Sequence, residues 1–220
     1  MITAIIPCHN EEKFIGSIVR KALNYVDNMV VIDNVSTDNT GSIALDNGAT
    51  VVKCSIKGCG LAIRTGIDFA LRNNRSKTFV IIDGDGQHDP EDIPCLIKPL
   101  QYGIADFVIG NRFDGLYTGP RYRNFGIKFF NLVYNIGMPV KIKDTQCGFR
   151  AFNRHVASNI DLTENGFAIS IEQLIKVNSN GYRVSQVPVK CIYNNGHTHS
   201  TNPLLHGLQI SKAIIKWRIK

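Results

Sequence analysis

The sequence predicts an α/β protein in which helices cover both faces of a mostly parallel central sheet. Two observations carry this prediction. Short apolar runs alternate along the chain with segments whose apolar residues recur at helical spacing. The intervals between successive runs are short, as in right-handed crossovers that join neighbouring parallel strands. Such an arrangement brings the carboxyl ends of the strands to one edge of the sheet.

The first half of the chain contains five predicted strands and four predicted helices. The strands are residues 3–6, 29–32, 50–54, 79–82 and 106–109. The helices are residues 11–23, 36–46, 58–71 and a segment that begins near residue 90. Asn10 is the expected N-cap of the first helix, and Ser36, Thr37 and Asp38 supply caps for the second.

The second half is less regular. An amphipathic segment that mixes aromatic and basic residues covers 121–140, and a loop entering a strand covers 144–152. A helix at 169–177, a strand at 182–189 and a helix at 203–220 follow. We expect residues 1–202 to form one domain and 203–220 to form a basic amphipathic helix. A helix of this kind with Trp217 near its end either lies in a membrane interface or packs on the domain.

Composition restricts the class of protein. The 220 residues are 44% hydrophobic and 20% charged, which is typical of a globular chain. Six cysteines lie without CxxC or zinc-site spacing, and neither a leader pattern nor an apolar run of about 18–20 residues is found, so we expect reduced thiols in a cytosolic protein without a membrane span. The net charge of +7 admits phosphorylated substrates, an anionic membrane or nucleic acid. Because no nucleic-acid-binding motif is present, we expect no nucleic-acid partner.

The stretch 79–88 is an apolar run that ends in two carboxylates, two glycines and an amide. Asp83 and Asp85 are two residues apart, so in an extended chain their side chains leave the same face and converge on one cation. Together with the Gln87 amide oxygen they suit Mg²⁺ or Mn²⁺. Gly84 and Gly86 lack a Cβ and let a ligand approach the backbone. The alternative is a strand followed by an acidic turn.

Three further polar clusters follow predicted strands. They occupy residues 7–11, 33–36 and 111–112. Ligands of open α/β sheets bind at the carboxyl ends of the strands. Four polar clusters at one edge therefore predict a functional site that includes Asp83 and Asp85.

Six segments, which include these polar clusters, resemble family 2 glycosyltransferases of the GT-A fold, and within that family the dolichol-phosphate mannose synthase group. The matching segments are residues 6–12, 31–40, 57–60, 83–88, 110–113 and 144–149. They occur in the family's order and cover most of the chain. The resemblance implies metal-dependent transfer of a sugar, with inversion, from a nucleotide diphosphate donor to polyprenyl phosphate at the cytosolic face of a membrane.

The resemblance also implies roles for individual residues. The expected nucleotide-sugar-binding residues are Pro7, His9, Glu11, Ile32, Asp33, Asn34, Asp83, Gly84, Asp85, Gln87 and Arg112. Within this set Asp83, Asp85 and Gln87 are the expected ligands of Mg²⁺ or Mn²⁺. The expected catalytic residues are Asp85, Arg112 and Arg123, with the two arginines at the substrate phosphates.

Several departures from the family pattern leave the donor open between GDP-mannose and a UDP-sugar. Asn34 stands where a second aspartate is common, Ala168 replaces a basic residue, and His197 and His199 lie in a segment that is usually richer in Arg and Lys. We expect peripheral membrane contact through 121–140 and the C-terminal helix, with a membrane-anchoring partner subunit as one arrangement. The alternatives are a non-lipid acceptor and a catalytically silent subunit that binds nucleotide or membrane.

Overall fold

A computed structural model describes residues 1–73, 76–119, 121–193 and 203–219 of the chain. The strands are β1 (Ile2–Cys8), β2 (Asn28–Asn34), β3 (Thr50–Cys54), β4 (Thr78–Ile81), β5 (Phe107–Asn111), β6 (Arg150–Asn153) and β7 (Val184–Pro188). The α-helices are α1 (Ile15–Ala22), α2 (Thr40–Asp46), α3 (Cys59–Asn73), α4 (Ile93–Gln101), α5 (Arg121–Asn135), α6 (Arg154–Asn159), α7 (Ile169–Ser179) and α8 (Pro203–Ile219).

All seven strands form one sheet in the order β3-β2-β1-β4-β6-β5-β7. Six of them are parallel, and β6 alone runs antiparallel, between β4 and β5. The predicted mostly parallel α/β fold is therefore confirmed. Packing across the sheet helps to hold β6 in place: Phe152 lies between Phe79 and Phe107, with ring centroids 5.8 and 6.0 Å away.

The predicted start of the first helix is wrong. α1 begins at Ile15, and the backbone of Asn10 has φ = 59°, in the left-handed region, where Asn is tolerated better than most residues. The Asn10 side chain accepts a hydrogen bond from the Thr37 backbone N–H at 2.8 Å instead of capping α1. This contact ties the chain that leaves β1 to the chain that leaves β2.

The C-terminal helix α8 packs against α7 and α5. Its buried residues Ile210, Ala213, Ile214 and Trp217 belong to the same apolar core as the sheet. In the described residues, no helix combines the length and apolar character that a membrane crossing requires.

Candidate active site

The carboxyl ends of β1, β2, β4 and β5 open onto one edge of the sheet, because these strands are parallel to one another. Cys8 lies opposite Asp33 in the register of β1 and β2. The single antiparallel strand, β6, begins at this edge with Arg150, between Ile81 and Ile109. The loop of residues 144–149 therefore also reaches the edge.

Three carboxylates converge where β1 and β4 end. Burial raises the pKa of the Asp83 carboxyl, and the charge of Asp85 raises it further. Burial, followed by the charges of Asp85 and Asp83, raises the pKa of Glu11 to about 8. The charge of Asp85 thus disfavours the ionised form of both Asp83 and Glu11, and a bound cation would relieve this repulsion.

These oxygens fit a divalent cation that takes its other ligands from substrate and water. Among the described side chains, no three His, Cys, Asp or Glu residues are arranged to hold an ion by themselves. Mg²⁺ commonly binds one or two carboxylates, substrate phosphates and several waters. The third expected ligand, Gln87, has its amide oxygen 4.0 Å from the Cys191 sulfur, and its backbone N–H donates to Asp85 at 3.0 Å.

Two glycines near the carboxylates are required by packing. A Cβ on Gly84 would lie 2.4 Å from the Cys8 sulfur, so this glycine lets β1 and the end of β4 approach each other. A Cβ on Gly148 would lie 2.2 Å from an Asp83 oxygen. The loop of residues 144–149 thus passes directly over the Asp83 carboxylate.

A second cluster joins the ends of β1, β2 and β3. His9 Nδ1 lies 2.9 Å from the carbonyl oxygen of Asn34, and Lys57 Nζ lies 2.8 Å from His9 Nε2. An ammonium group only donates hydrogen bonds, so Nε2 is the acceptor and Nδ1–H donates to the carbonyl. The Asn34 side-chain oxygen accepts from the Gly58 N–H at 3.2 Å.

The remaining expected residues of β2 are placed differently from Asn34. The Ile32 side chain is fully buried under α3, next to Gly66. The Asp33 carboxylate accepts from the Ser36 N–H at 3.1 Å and faces Gly41 of α2. Only the backbone of Ile32 is therefore near the edge, whereas Pro7 is partly exposed there.

Arg112 is held in a buried ion pair. Its Nε and Nη2 donate to the two oxygens of Asp144 at 2.7 Å, and its backbone N–H donates to the same carboxylate at 3.2 Å. Arg112 is 5% exposed and Asp144 is fully buried. Although burial lowers the pKa of Arg112, Asp144 raises it well above its usual value. Two of the three guanidinium nitrogens are thus engaged within the protein.

Arg150 organises the loop over the carboxylates. Its guanidinium donates to the carbonyl oxygens of Cys147, Thr145 and Ser170 and to the Gln173 side chain, at 2.8–3.0 Å. Burial lowers its pKa to about 10. These bonds fix the path of residues 144–149 over Asp83.

Three residues of this edge were not among the predicted site residues. Lys57 and Asp144 lie in segments that carry the family resemblance, which was the available signal for them. Arg150 directly follows such a segment. Among the predicted residues, the side chain of Arg123 lies outside the described part of the structure, as do His197 and His199.

Comparisons with known proteins place the chain in a family. The sequence profile described as "Glycosyl transferase family 2" matches residues 3–161. A dolichyl-phosphate hexose transferase of Haloferax volcanii is 30% identical, with 98% of this chain and 92% of the relative covered. A UDP-N-acetylglucosamine–dolichyl-phosphate N-acetylglucosaminyltransferase of Methanococcus voltae is 28% identical, over 88% and 86% of the two chains.

The fold is also similar to that of a solved enzyme. Glucosyl-3-phosphoglycerate synthase of Mycobacterium tuberculosis, in complex with Mn²⁺, UDP and glucosyl-3-phosphoglycerate, superposes with a TM-score of 0.78 at 21% identity. The match covers 99% of this chain and 79% of that enzyme. The GT-A fold expected from the sequence is thereby confirmed.

Proposed function

This chain belongs to glycosyl transferase family 2, and we propose that it transfers a sugar from a nucleoside diphosphate donor to the phosphate of a polyprenol such as dolichol. The observation that carries the transfer chemistry is the convergence of Glu11, Asp83 and Asp85 beside the cluster of His9 and Lys57. Two relatives that cover most of the chain bear dolichyl-phosphate transferase names, which supports the acceptor class.

In this proposal the donor lies across the ends of β1, β2 and β4. His9, Asn34 and Pro7 bind the nucleoside, and Lys57 approaches the diphosphate or base from the start of α3. Asp83 and Asp85, with Gln87, hold Mg²⁺ or Mn²⁺. An ion held there would supply Lewis-acid stabilisation of the charge that develops on the leaving diphosphate.

The acceptor phosphate is already an anion and attacks without a general base. The task of the protein is then to hold two negatively charged groups close together, and Arg112 and Arg123 are the residues proposed for it. Asp144 engages two guanidinium nitrogens of Arg112, so the third nitrogen of Arg112 is the one proposed to contact substrate. A single in-line attack inverts the anomeric centre.

The outer face of α5 supports a lipid acceptor. Phe125, Phe129 and Leu132 on α5 and Ile136 directly after it are each more than half exposed, and their spacing of four, three and four residues aligns them along one side. A contiguous exposed apolar stripe of this kind marks a surface that contacts another apolar phase. The exposed Lys128 flanks the stripe, as expected for a surface that meets anionic lipid headgroups.

The inner face of α5 connects this stripe to the edge. Asn131 accepts hydrogen bonds from the backbone N–H and hydroxyl of Thr145, at 2.9 and 2.8 Å. Thr145 follows Asp144, the partner of Arg112. A membrane bound along α5 would thus present a lipid phosphate close to the proposed acceptor site, with the protein peripheral at the cytosolic face, alone or beside a membrane-anchoring partner.

The function is tested by incubating the protein with dolichyl phosphate, Mn²⁺ and radiolabelled GDP-mannose, UDP-glucose or UDP-N-acetylglucosamine. We expect label in the organic phase for one donor, and loss of that product in Asp85→Ala but not in the matched surface variant Asp46→Ala. Label that enters only a water-soluble product would refute the lipid acceptor. No transfer from any donor, combined with nucleotide binding, would indicate a silent subunit.

A further inference from the structure

The C-terminal helix is connected to the proposed donor edge through one acidic side chain. Glu164 lies in the loop of residues 163–166, between α6 and α7. Its carboxylate accepts hydrogen bonds from Lys216 Nζ and, at 3.1 Å, from Trp217 Nε1, both on α8. Trp217 is 8% exposed, whereas the Lys216 side chain is half exposed.

The same loop is also anchored by α7. The fully buried Glu172 carboxylate accepts from the backbone N–H groups of Thr163 and Glu164 and from the Thr163 hydroxyl, at 2.8–3.0 Å. Lys176 binds Glu172 at 2.9 Å and lies 4.5 Å from the centre of the Trp217 ring. The loop is therefore held between α7 and α8.

On its other side the loop presses against the start of α3. A Cβ on Gly60 would lie 2.4 Å from the Glu164 carbonyl oxygen, and one on Gly58 would lie 2.5 Å from the Asn165 carbonyl oxygen. The Leu61 N–H donates to the Asn165 carbonyl at 3.1 Å. Backbone in such close contact has no room to move independently, so a displacement of the loop displaces residues 58–61.

Residues 58–61 directly follow Lys57 and adjoin the cluster proposed to bind the nucleoside. The Gly58 N–H donates to the Asn34 side chain, and Lys57 contacts His9. An uninterrupted series of contacts thus runs from Trp217 through Glu164 and Gly58 to Asn34.

We propose that Glu164 is a positioning residue through which the docking of α8 sets the geometry of the nucleotide-binding edge. The inference rests on the proposed function for the identity of the ligand. It assigns to α8 a role in donor affinity, in addition to any contact with the membrane. By linkage, a nucleotide that binds at the edge must in turn alter the equilibrium of α8 docking.

Trp217 is the only tryptophan in the chain, so its fluorescence reports directly on this contact. We expect its emission to shift when UDP or GDP is added with Mg²⁺. In calorimetric titrations, Glu164→Ala and Trp217→Phe should bind the same nucleotide at least about fivefold more weakly than the unsubstituted protein, the lower end of common coupling strengths. Gln209→Ala, an exposed position on α8, is the matched control and should bind normally.

Hydrogen exchange provides a readout that needs no nucleotide. Glu164→Ala and Trp217→Phe should accelerate exchange of the amides of residues 57–62, and Gln209→Ala should not. Glu164→Gln, which keeps an oxygen acceptor for Trp217 and loses only the charge, is the milder variant if Glu164→Ala does not fold; it should show a smaller effect of the same sign.

The inference is overturned if faster exchange is confined to residues 163–166 and α8 while residues 57–62 and nucleotide affinity stay unchanged. Failure of the proposed function looks different. In that case the unsubstituted protein gives no binding heat with any nucleotide, and the exchange of residues 57–62 still decides whether α8 and the edge are connected.

Discussion

The two halves of the carboxyl edge of the sheet use charged residues in different ways. At the ends of β1 and β4, Glu11, Asp83 and Asp85 lie together, and burial followed by their like charges raises the pKa of Glu11 and Asp83. At the end of β5, Arg112 is paired with Asp144 in bidentate geometry. The first half is electrostatically incomplete without a ligand, whereas the second is satisfied within the protein. A charged residue at a strand end can therefore have a structural partner in addition to a proposed role in binding.

The largest effect should come from breaking the satisfied half. Asp144→Ala leaves the Arg112 guanidinium buried and unpaired, which commonly costs about 3–5 kcal/mol. We expect a decrease of that size in the free energy of unfolding, measured by urea denaturation. Asp85→Ala removes a repulsive charge from the other half and should leave metal-free stability unchanged or raised. Equal losses in both variants would contradict the contrast between the halves.

A smaller effect is expected from Lys57, on the incomplete half. Its side chain is exposed apart from the contact with His9, so Lys57→Ala should scarcely change stability. Loss of a charge-assisted contact to the donor should raise the KM for the nucleotide sugar about tenfold, or about 1.4 kcal/mol, with a smaller change in kcat. Lys53→Ala, at an exposed position on β3, is the control. An unchanged KM would remove Lys57 from the donor site.

The last effect is a pH dependence of the incomplete half, which solvent screening at the half-buried Glu11 weakens. The pKa of Glu11 rises from an ordinary 4.5 to about 8 on folding, so the folded state holds a proton that the unfolded state releases between these values. Metal-free protein should therefore be most stabilised by this group below pH 4.5 and should lose that contribution as pH rises through 8. Thermal unfolding in EDTA measures the trend.

The side chain introduced by Glu11→Gln does not titrate, so this variant should show a smaller decline in stability between pH 4.5 and 8. Saturating Mn²⁺ should also reduce this decline in the unsubstituted protein, since a bound cation favours the ionised carboxylates. A variant that declines as steeply as the parent would assign the pH dependence to other groups.

The sequence predicted much of the fold, because strand and helix periodicity are local properties. The apolar runs matched β1 to β5, and the polar clusters were found together at the carboxyl edge. The predicted start of the first helix was wrong because Asn10 binds Thr37, 27 positions away, and no local pattern indicates such a partner. The same limit applied to Lys57 and Arg150, whose contacts with His9 and Gln173 are also distant in sequence.

The sequence by itself determined the order of the strands along the chain, the family and the location of the acidic cluster, since each depends on residue types at short and fixed spacing. Only the tertiary structure decided which charges are paired. Arg112 and Asp83 each follow a buried strand. Arg112 pairs with an opposite charge 32 positions later, whereas Asp83 lies near the like charge of Asp85. Pairing depends on distances in space, and these are set by the packing of the whole sheet and the loops at its edge.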